Sequence, residues 1–425
     1  MATEHKFRYL LPPGSNFQFV ARARTFFVVS LLLLAAAIGS LFVNKAVRGS
    51  YMNWTIDFKG GTEVIYAFRD PADPSKYLKP DAGAVRAALS AAGEEGFDVS
   101  EMSWTDGKVA VTGMVVKTPR FSALSKEQAD KAVAAFQAQF ADKQLEKVAW
   151  SGERLFVRSK ASFAGVDVAA AFTAAGLEVK PWTEEDTARY GHPDEGTGEY
   201  NATFAVWGID RQLGQVLEKA LGGAKVSVVQ SYGVGAKAGD QLRNDAIKSL
   251  IYAMFLIMLY LALRFDIRYA PGAAFATLHD VIMVIGVFAV TWTEVSLTSV
   301  AAVLTVIGYS VNDTVVIFDR IRENVAKHKD KKLERIVDLS VNETLVRSIL
   351  TSLTVFATTL IMNIFGEGLV RNFAFAMNIG VVVGSYSSIF LAAPIFLWIS
   401  KKWYSGPARV RAGITPAAAA TVGET

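Results

Sequence analysis

Apolar runs long enough to cross a lipid bilayer constrain this chain more than any other feature of its sequence. Phe26–Val43 and Ser348–Phe365 each extend 18 residues without a charge, Asn372–Ser400 extends 29, and Ser249–Leu263 extends 15 between Lys248 and Arg264. A hydrocarbon core of about 30 Å takes about 20 helical residues to cross. The shortest run reaches that length once Ile247 joins it and Lys248 and Arg264 lay their stems along apolar surface with their charges among the headgroups. Two further stretches have the length but carry ionisable groups: Tyr269–Trp292 holds His279 and Asp280, and Val295–Phe318 holds Asp313. The chain therefore reads as a polytopic α-helical membrane protein with six transmembrane helices, one followed by five, and 52% hydrophobic residues agree with that class. A cleaved signal peptide is the other reading of the first run. No A-x-A-like site follows it closely, which favours an uncleaved anchor.

The resulting segments are an N-terminal lead 1–25, a first helix 26–43, an α+β domain 44–246, a five-helix bundle 247–400 with a loop 319–346, and a tail 401–425. The tail lacks periodicity and is expected to be disordered. Basic residues set the orientation. Lys6, Arg8, Arg22 and Arg24, then Arg264 and Arg268, seven residues from Arg320 to Arg335, and Lys401, Lys402, Arg409 and Arg411 place 17 cations on one side, against Arg371 alone in the two short connections on the other. The positive-inside rule puts both termini in the cytoplasm and sends the α+β domain across the membrane. The net charge of +4 is thereby explained by topology, and a nucleic-acid partner is not indicated. The alternating charges of Asp319-Arg320-Ile321-Arg322-Glu323 read as a solvated helix.

The chain has no cysteine, which excludes disulfides and thiolate metal sites. Its translocated segment, about 200 residues, is large enough to build a core without them. There the pattern alternates between helix and strand. Ala82–Ala92, Val166–Ala175 and Arg211–Ala220 read as helices, each followed by glycine and a strand-like stretch, the last two being Leu177–Trp182 and Lys225–Val229. Turn residues at Asp106-Gly107 and Ser151-Gly152 suggest two hairpins. One sheet and two small modules are both compatible with this pattern.

The sharpest local signal is Ile307-Gly308-Tyr309-Ser310-Val311-Asn312-Asp313-Thr314-Val315-Val316-Ile317-Phe318-Asp319-Arg320-Ile321-Arg322-Glu323-Asn324. Asp313 lies about 7 Å inside the cytoplasmic boundary. A carboxylate in a transmembrane helix costs about 2.5–3.5 kcal/mol at the centre and less near the end, so it is expected to face protein or water. Burial favours its neutral form and a nearby cation its charged form, and a group held between the two binds and releases protons. Arg347, at the start of the fifth span, is the available cation. The plainer reading has Arg347 reaching to headgroups and Asp313 hydrogen bonded for structure alone. His279-Asp280 lies about 15 Å deep, near the midplane, where an ionisable pair reads equally as a functional relay or as a helix-packing hydrogen bond with a neutral acid. Gly308, Gly380 and Gly384, with Ser385, Ser387 and Ser388, are of the size that lets helices approach closely in lipid.

Nothing indicates an enzyme. Gly233-x-Gly235 lacks the third glycine and the βαβ setting of a dinucleotide loop, and no Walker lysine follows a glycine run. The four histidines at 5, 192, 279 and 328 are scattered, which gives metal ligation no support. A charge moving through the membrane field releases about 2.3 kcal/mol per 100 mV, so proton entry is the natural energy source.

These motifs together resemble the SecF family, relatives of the resistance-nodulation-division transporters. Ile56-Asp57-Phe58-Lys59-Gly60-Gly61-Thr62-Glu63 is similar to the family's D-F-x-G-G-T box. Leu278-His279-Asp280-Val281, the 307–324 box, Asn372-Phe373-Ala374-Phe375 and Gly384-Ser385-Tyr386-Ser387-Ser388-Ile389 are similar to its membrane boxes. The Asn312-Asp313-Thr314 order separates the chain from SecD, whose box usually reads D-A-N. The resemblance implies a bacterial inner-membrane subunit that works with SecD, the SecYEG channel and YajC on exported polypeptides, with protons as coupling ion and no cofactor or reaction of its own. Asp313 and Arg347 match positions the family is thought to use for proton conduction, and with the intramembrane Asp280 and His279 they make the expected proton relay, supported by Gly308, Tyr309, Asn312 and Thr314. A non-conducting assembly scaffold and half of a small-molecule or lipid efflux pump are the alternatives. The translocated domain is about twice the length the family usually carries, and Ser231-Tyr232-Gly233-Val234-Gly235 stands where a V-G-P element is expected.

Overall fold

The computed structural model describes residues 16–124, 126–163, 168, 172 and 179–404. It divides into a membrane unit, the chain up to Trp54 and again from Asn244, and a soluble unit, Thr55–Arg243.

Among the described residues six helices have the length and hydropathy to cross a bilayer: Phe19–Arg48, Ala236–Arg264, Ala270–Thr291, Leu297–Lys327, Leu333–Phe365 and Gly368–Trp403. They are called the first to sixth spans below. Several outrun their uncharged stretches because a helix needs no apolar residues once it leaves the hydrocarbon. The clearest case is 319–346, expected as a loop. It is helical apart from the turn between Lys327 and Leu333. Its alternating charges close i,i+3 and i,i+4 pairs, Arg320 to Glu323 at 2.5 Å, Arg322 to Asp319 at 2.8 Å and Lys327 to Glu323 at 2.5 Å, which suit a solvated helix.

The third, fourth and sixth spans each bury about half of their most apolar stretch and form the centre, while the first, second and fifth bury little. Small residues decide where the helices meet. A Cβ on Gly286 would lie 2.2 Å from the Cβ of Ala37, and one on Gly380 would lie 2.1 Å from a methyl of Val306. The first span is held by Asn44, whose Nδ2 donates to the Ala289 carbonyl at 2.8 Å, and by Ser30 on the hydroxyl of Tyr386 at 2.7 Å.

Among its described residues the soluble unit contains two sheets. In the first, β2 (Gly61–Arg69) pairs antiparallel with β9 (Lys225–Val234) on one side and with β5 (Val109–Thr118) on the other, and β4 (Asp98–Asp106) pairs antiparallel with β5. The short β3 (Tyr77–Leu78) also pairs with the end of β2. Helices Ala82–Ala91 and Ile209–Ala220 supply Val85, Leu89, Leu213 and Leu217 to the core beneath this sheet. Strand, helix, strand, strand, helix, strand with sheet order β9-β2-β5-β4 is the ferredoxin-like arrangement. The second sheet, β6 (Leu145–Ser151), β7 (Arg154–Ser159) and β8 (Tyr200–Ala205), is antiparallel and lies over its own core of Phe136, Leu155, Val157, Phe172 and Phe204. Its residues, 126–205, fall between β5 and the second helix of the first module. The domain is long because one module is inserted into the other.

Both expected hairpins form, with Gly107 and Gly152 at positive φ in their turns. The expected helix Val166–Ala175 and the start of the strand Leu177–Trp182 lie largely outside the described residues. In the D-F-x-G-G-T-like box the glycines are required by backbone proximity. Gly60 (φ +78°) would put a Cβ 2.7 Å from the Cα of Ala236, and Gly61 (φ +126°) would put one 2.3 Å from the carbonyl of Thr118.

The modules are tied at one point by Glu153, in the β6–β7 turn. Its carboxylate accepts from the amide of Ile209 at 2.5 Å, at the N-terminus of Ile209–Ala220. Burial, the larger influence, raises the Glu153 pKa above its ordinary value. Glu153→Ala is expected to lower the stability of the soluble unit by about 1 kcal/mol, the usual worth of a helix cap, measured by chemical denaturation of the purified full-length protein.

Candidate functional site

His279, Asp280 and Asp313 sit where the third, fourth, fifth and sixth spans converge. Asp280 is completely buried, and Asp313 is 3% exposed. The Asp280 carboxylate lies 3.0 Å from His279 Nδ1, and its other oxygen accepts from the hydroxyls of Ser310 at 2.5 Å and Ser387 at 2.8 Å. Three spans thus close around it. His279 Nε2 is buried and has no hydrogen-bond partner among the described residues.

Asp313 accepts from the hydroxyl of Ser352 at 3.3 Å. Ser352, on the fifth span, is a hub: it also receives the hydroxyls of Tyr309 at 3.3 Å and Ser385 at 2.6 Å. Between the two carboxylates, Thr314 meets Ser388 at 2.9 Å, and the Ser388 hydroxyl also approaches the Ser310 carbonyl at 3.4 Å. A seam of hydroxyls therefore runs from Asp280 towards Asp313. Local sequence explains it. Ser310, Asp313 and Thr314 share one face of the fourth span by their three- and four-residue spacing. Ser387 and Ser388, adjacent in sequence, both point inward because Ser388–Ala392 forms a π turn, which widens the helix locally.

Three expected members are placed differently. Arg347 makes no ion pair with Asp313 among the described residues. It is exposed and lines a hollow of about 640 Å³ with Arg264, Asp319, Arg320, Glu323 and Glu343, at the end of the bundle that carries the basic turn. It lies five residues from Ser352, about 7 Å along the helix axis, so the fifth span offers Asp313 a hydroxyl in place of a cation. Gly308 was expected to sit at a close helix contact, yet a Cβ there would meet nothing within 4 Å. Asn312 is exposed on the same face of the fourth span and takes no part in the seam. Tyr309, Thr314 and Gly384 do border it. Ser310 and Ser352 were missed as site residues. The available signal was a hydroxyl one helical turn from Asp313 on its own span, and hydroxyls repeated through Ser348, Thr351 and Ser352 on the next.

Residues 215–402 match the family described as protein export membrane protein SecD/SecF, C-terminal. A protein translocase subunit SecF from Gemmatimonas aurantiaca is 31% identical over 391 residues, covering 92% of this chain and 89% of the relative. The chain belongs to the SecF family. It is therefore a membrane subunit of the protein-export machinery. So much of the chain aligns with the Gemmatimonas SecF that the inserted module cannot lie wholly outside the match. A protein translocase subunit SecDF from Brucella abortus is 44% identical over 169 residues, 40% of this chain and 22% of that longer one. The crystal structure of SecDF from Thermus thermophilus, a translocon-associated membrane protein, is similar in fold, with a TM-score of 0.58 at 24% identity. This SecF-family chain covers 40% of it, with 93% of its own length aligned.

Proposed function

We propose that this SecF-family subunit lets protons cross the bilayer through the Asp280–Asp313 seam and uses their energy to assist export of polypeptides. The observation that carries this reading is a pair of buried carboxylates, each hydrogen bonded to hydroxyls, within a cluster of hydroxyls drawn from the fourth, fifth and sixth spans. Hydroxyls both donate and accept, so with water bridging the gaps between them they can pass a proton between the carboxylates, and an intramembrane carboxylate otherwise costs insertion energy without return. Two buried polar atoms without partners among the described residues support the path: His279 Nε2 beside Asp280, and Ser348 Oγ, one turn of the fifth span from Ser352. Such atoms mark positions for transient water. The hollow lined by Arg347, Arg320 and Glu343 is then the aqueous mouth below Asp313. There Arg347 stabilises, through water, the carboxylate that Asp313 is left with when it releases its proton.

In this reading the protein sits in the bacterial inner membrane with both termini cytoplasmic and the soluble unit periplasmic, as its basic residues direct. It works with SecD, a pairing supported by the single-chain SecDF proteins it resembles, and with the SecYEG channel and YajC. It carries out no reaction of its own and holds no cofactor. A scaffold role is favoured by one observation, the full set of hydrogen bonds on Asp280, which a purely structural acid would also have.

The test is export into inverted membrane vesicles lacking this chain, with and without it restored. Restoration is expected to raise export when a proton gradient is present and to have little effect when an ionophore collapses it. Equal stimulation under both conditions would establish the scaffold in place of the motor.

A further inference from the structure

The inserted module presents a basic, concave face that the seam does not use. Along β7 the side chains alternate: Leu155 and Val157 enter the core, while Arg154, Phe156 and Arg158 point outward. A hollow of about 700 Å³ opens over that outward face, with Lys147 from β6 and Arg189 from helix Glu184–Tyr190 in its wall. Strand register sets Lys147 directly opposite Arg158. Like charges in that relation destabilise a sheet, so folding alone does not account for the pattern. Arg158 has a counter-ion in Glu199 at 3.4 Å, whereas Lys147, Arg154 and Arg189 make no salt bridge among the described residues. The lining carboxylate, Asp194, is engaged by the amides of Gly196 and Thr197 in its own loop.

We infer that this face binds extended, acidic segments of polypeptide. Alternate residues of β7 are about 7 Å apart, the same repeat as alternate side chains of an extended chain. A segment with acidic, apolar and acidic residues at alternate positions would set one carboxylate at Arg154, its apolar side chain on Phe156, which is 43% exposed, and the second carboxylate between Arg158 and Lys147. Arginine pairs with carboxylates through two parallel hydrogen bonds. A compact anion would satisfy one end of this row and leave Phe156 uncovered. The inference rests on the export reading for the source of the polypeptide, and it names the substrate class that the inserted module handles.

The experiment uses the purified full-length protein in nanodiscs of neutral lipid, with no gradient. The probe is a dye-labelled, unstructured peptide of repeating Glu-Ser-Leu-Ser, compared with its Gln-Ser-Leu-Ser counterpart by fluorescence anisotropy. The acidic peptide is expected to bind at least about tenfold more tightly, and increasingly so at low salt. Arg154→Gln with Arg189→Gln is expected to weaken it about tenfold, and Phe156→Ala to weaken it with the charges unchanged. These positions are exposed, so the variants should fold, and Arg154→Lys with Arg189→Lys should retain part of the affinity. Equal binding of the two peptides, indifference to the double variant, or complete displacement by millimolar inorganic phosphate would overturn the proposal, the last by making this a small-anion site. Because no gradient is present, failure here leaves the coupling result standing, and failure of coupling leaves peptide binding standing.

Discussion

Asp313→Asn is expected to leave the protein inserted and folded while abolishing the part of export that depends on the proton gradient. The geometry gives the reason for both halves. Asparagine keeps an oxygen where Ser352 now donates at 3.3 Å and is nearly the same size, so packing and that hydrogen bond survive. What it lacks is a group that can gain and lose a proton. One charge through 100 mV supplies about 2.3 kcal/mol, which at about 1.4 kcal/mol per factor of ten corresponds to roughly 50-fold in a coupled step. Export in vesicles is expected to fall to its ionophore-treated level, with the thermal unfolding transition of the purified variant unchanged. A variant that keeps gradient-stimulated export would remove Asp313 from the path.

The second large effect is expected at Gly380, where the fourth and sixth spans meet. A single methyl group there would lie 2.1, 2.6 and 2.9 Å from the three branching carbons of the Val306 side chain. Val306 is 1% exposed, and a β-branched residue in a helix is nearly confined to one rotamer, so the side chain cannot swing aside and the helices must separate. Overpacking of this kind costs about 1–3 kcal/mol. It would also pull Ser388 from Thr314, whose hydroxyls are 2.9 Å apart. Gly380→Ala is therefore expected to lower both the unfolding temperature in detergent and gradient-stimulated export. Val306→Ala in the same chain is expected to restore them, and absence of rescue would show that the contact is not what the glycine serves. Gly308→Ala is the control: with nothing within 4 Å of its Cβ, it should leave the isolated protein's stability unharmed.

The membrane helices were legible because a bilayer imposes a length and a polarity on every segment that crosses it, and uncharged runs record both. Their ends were less legible. Arg320, Glu323 and Lys327 belong to a helix that continues into water, where pairing between charges holds it and hydropathy carries no signal. His279, Asp280 and Asp313 could be singled out because ionisable groups inside apolar runs are costly. Their partners could not. Whether Asp313 meets Arg347 or Ser352 depends on the rotation and height of the fifth span against the fourth, which contacts between distant residues set. In the soluble unit the hairpins at Gly107 and Gly152 were visible from local turn chemistry, whereas the insertion of one module into another was not, since β2 and β9 pair across the whole of it.

The sequence by itself determined that this chain has six segments long and apolar enough to cross a membrane, how unevenly its basic residues are shared among the stretches between them, and which few acids lie within those segments. Each follows from the free energy of placing one residue type in one solvent. Only the tertiary structure decided that Ser352 reaches Asp313, that Ser310 and Ser387 enclose Asp280, that Gly380 is a contact and Gly308 is not, and that a basic face lies open on an inserted module. Those depend on which surfaces meet, and short-range packing forces settle that only when the whole chain has folded.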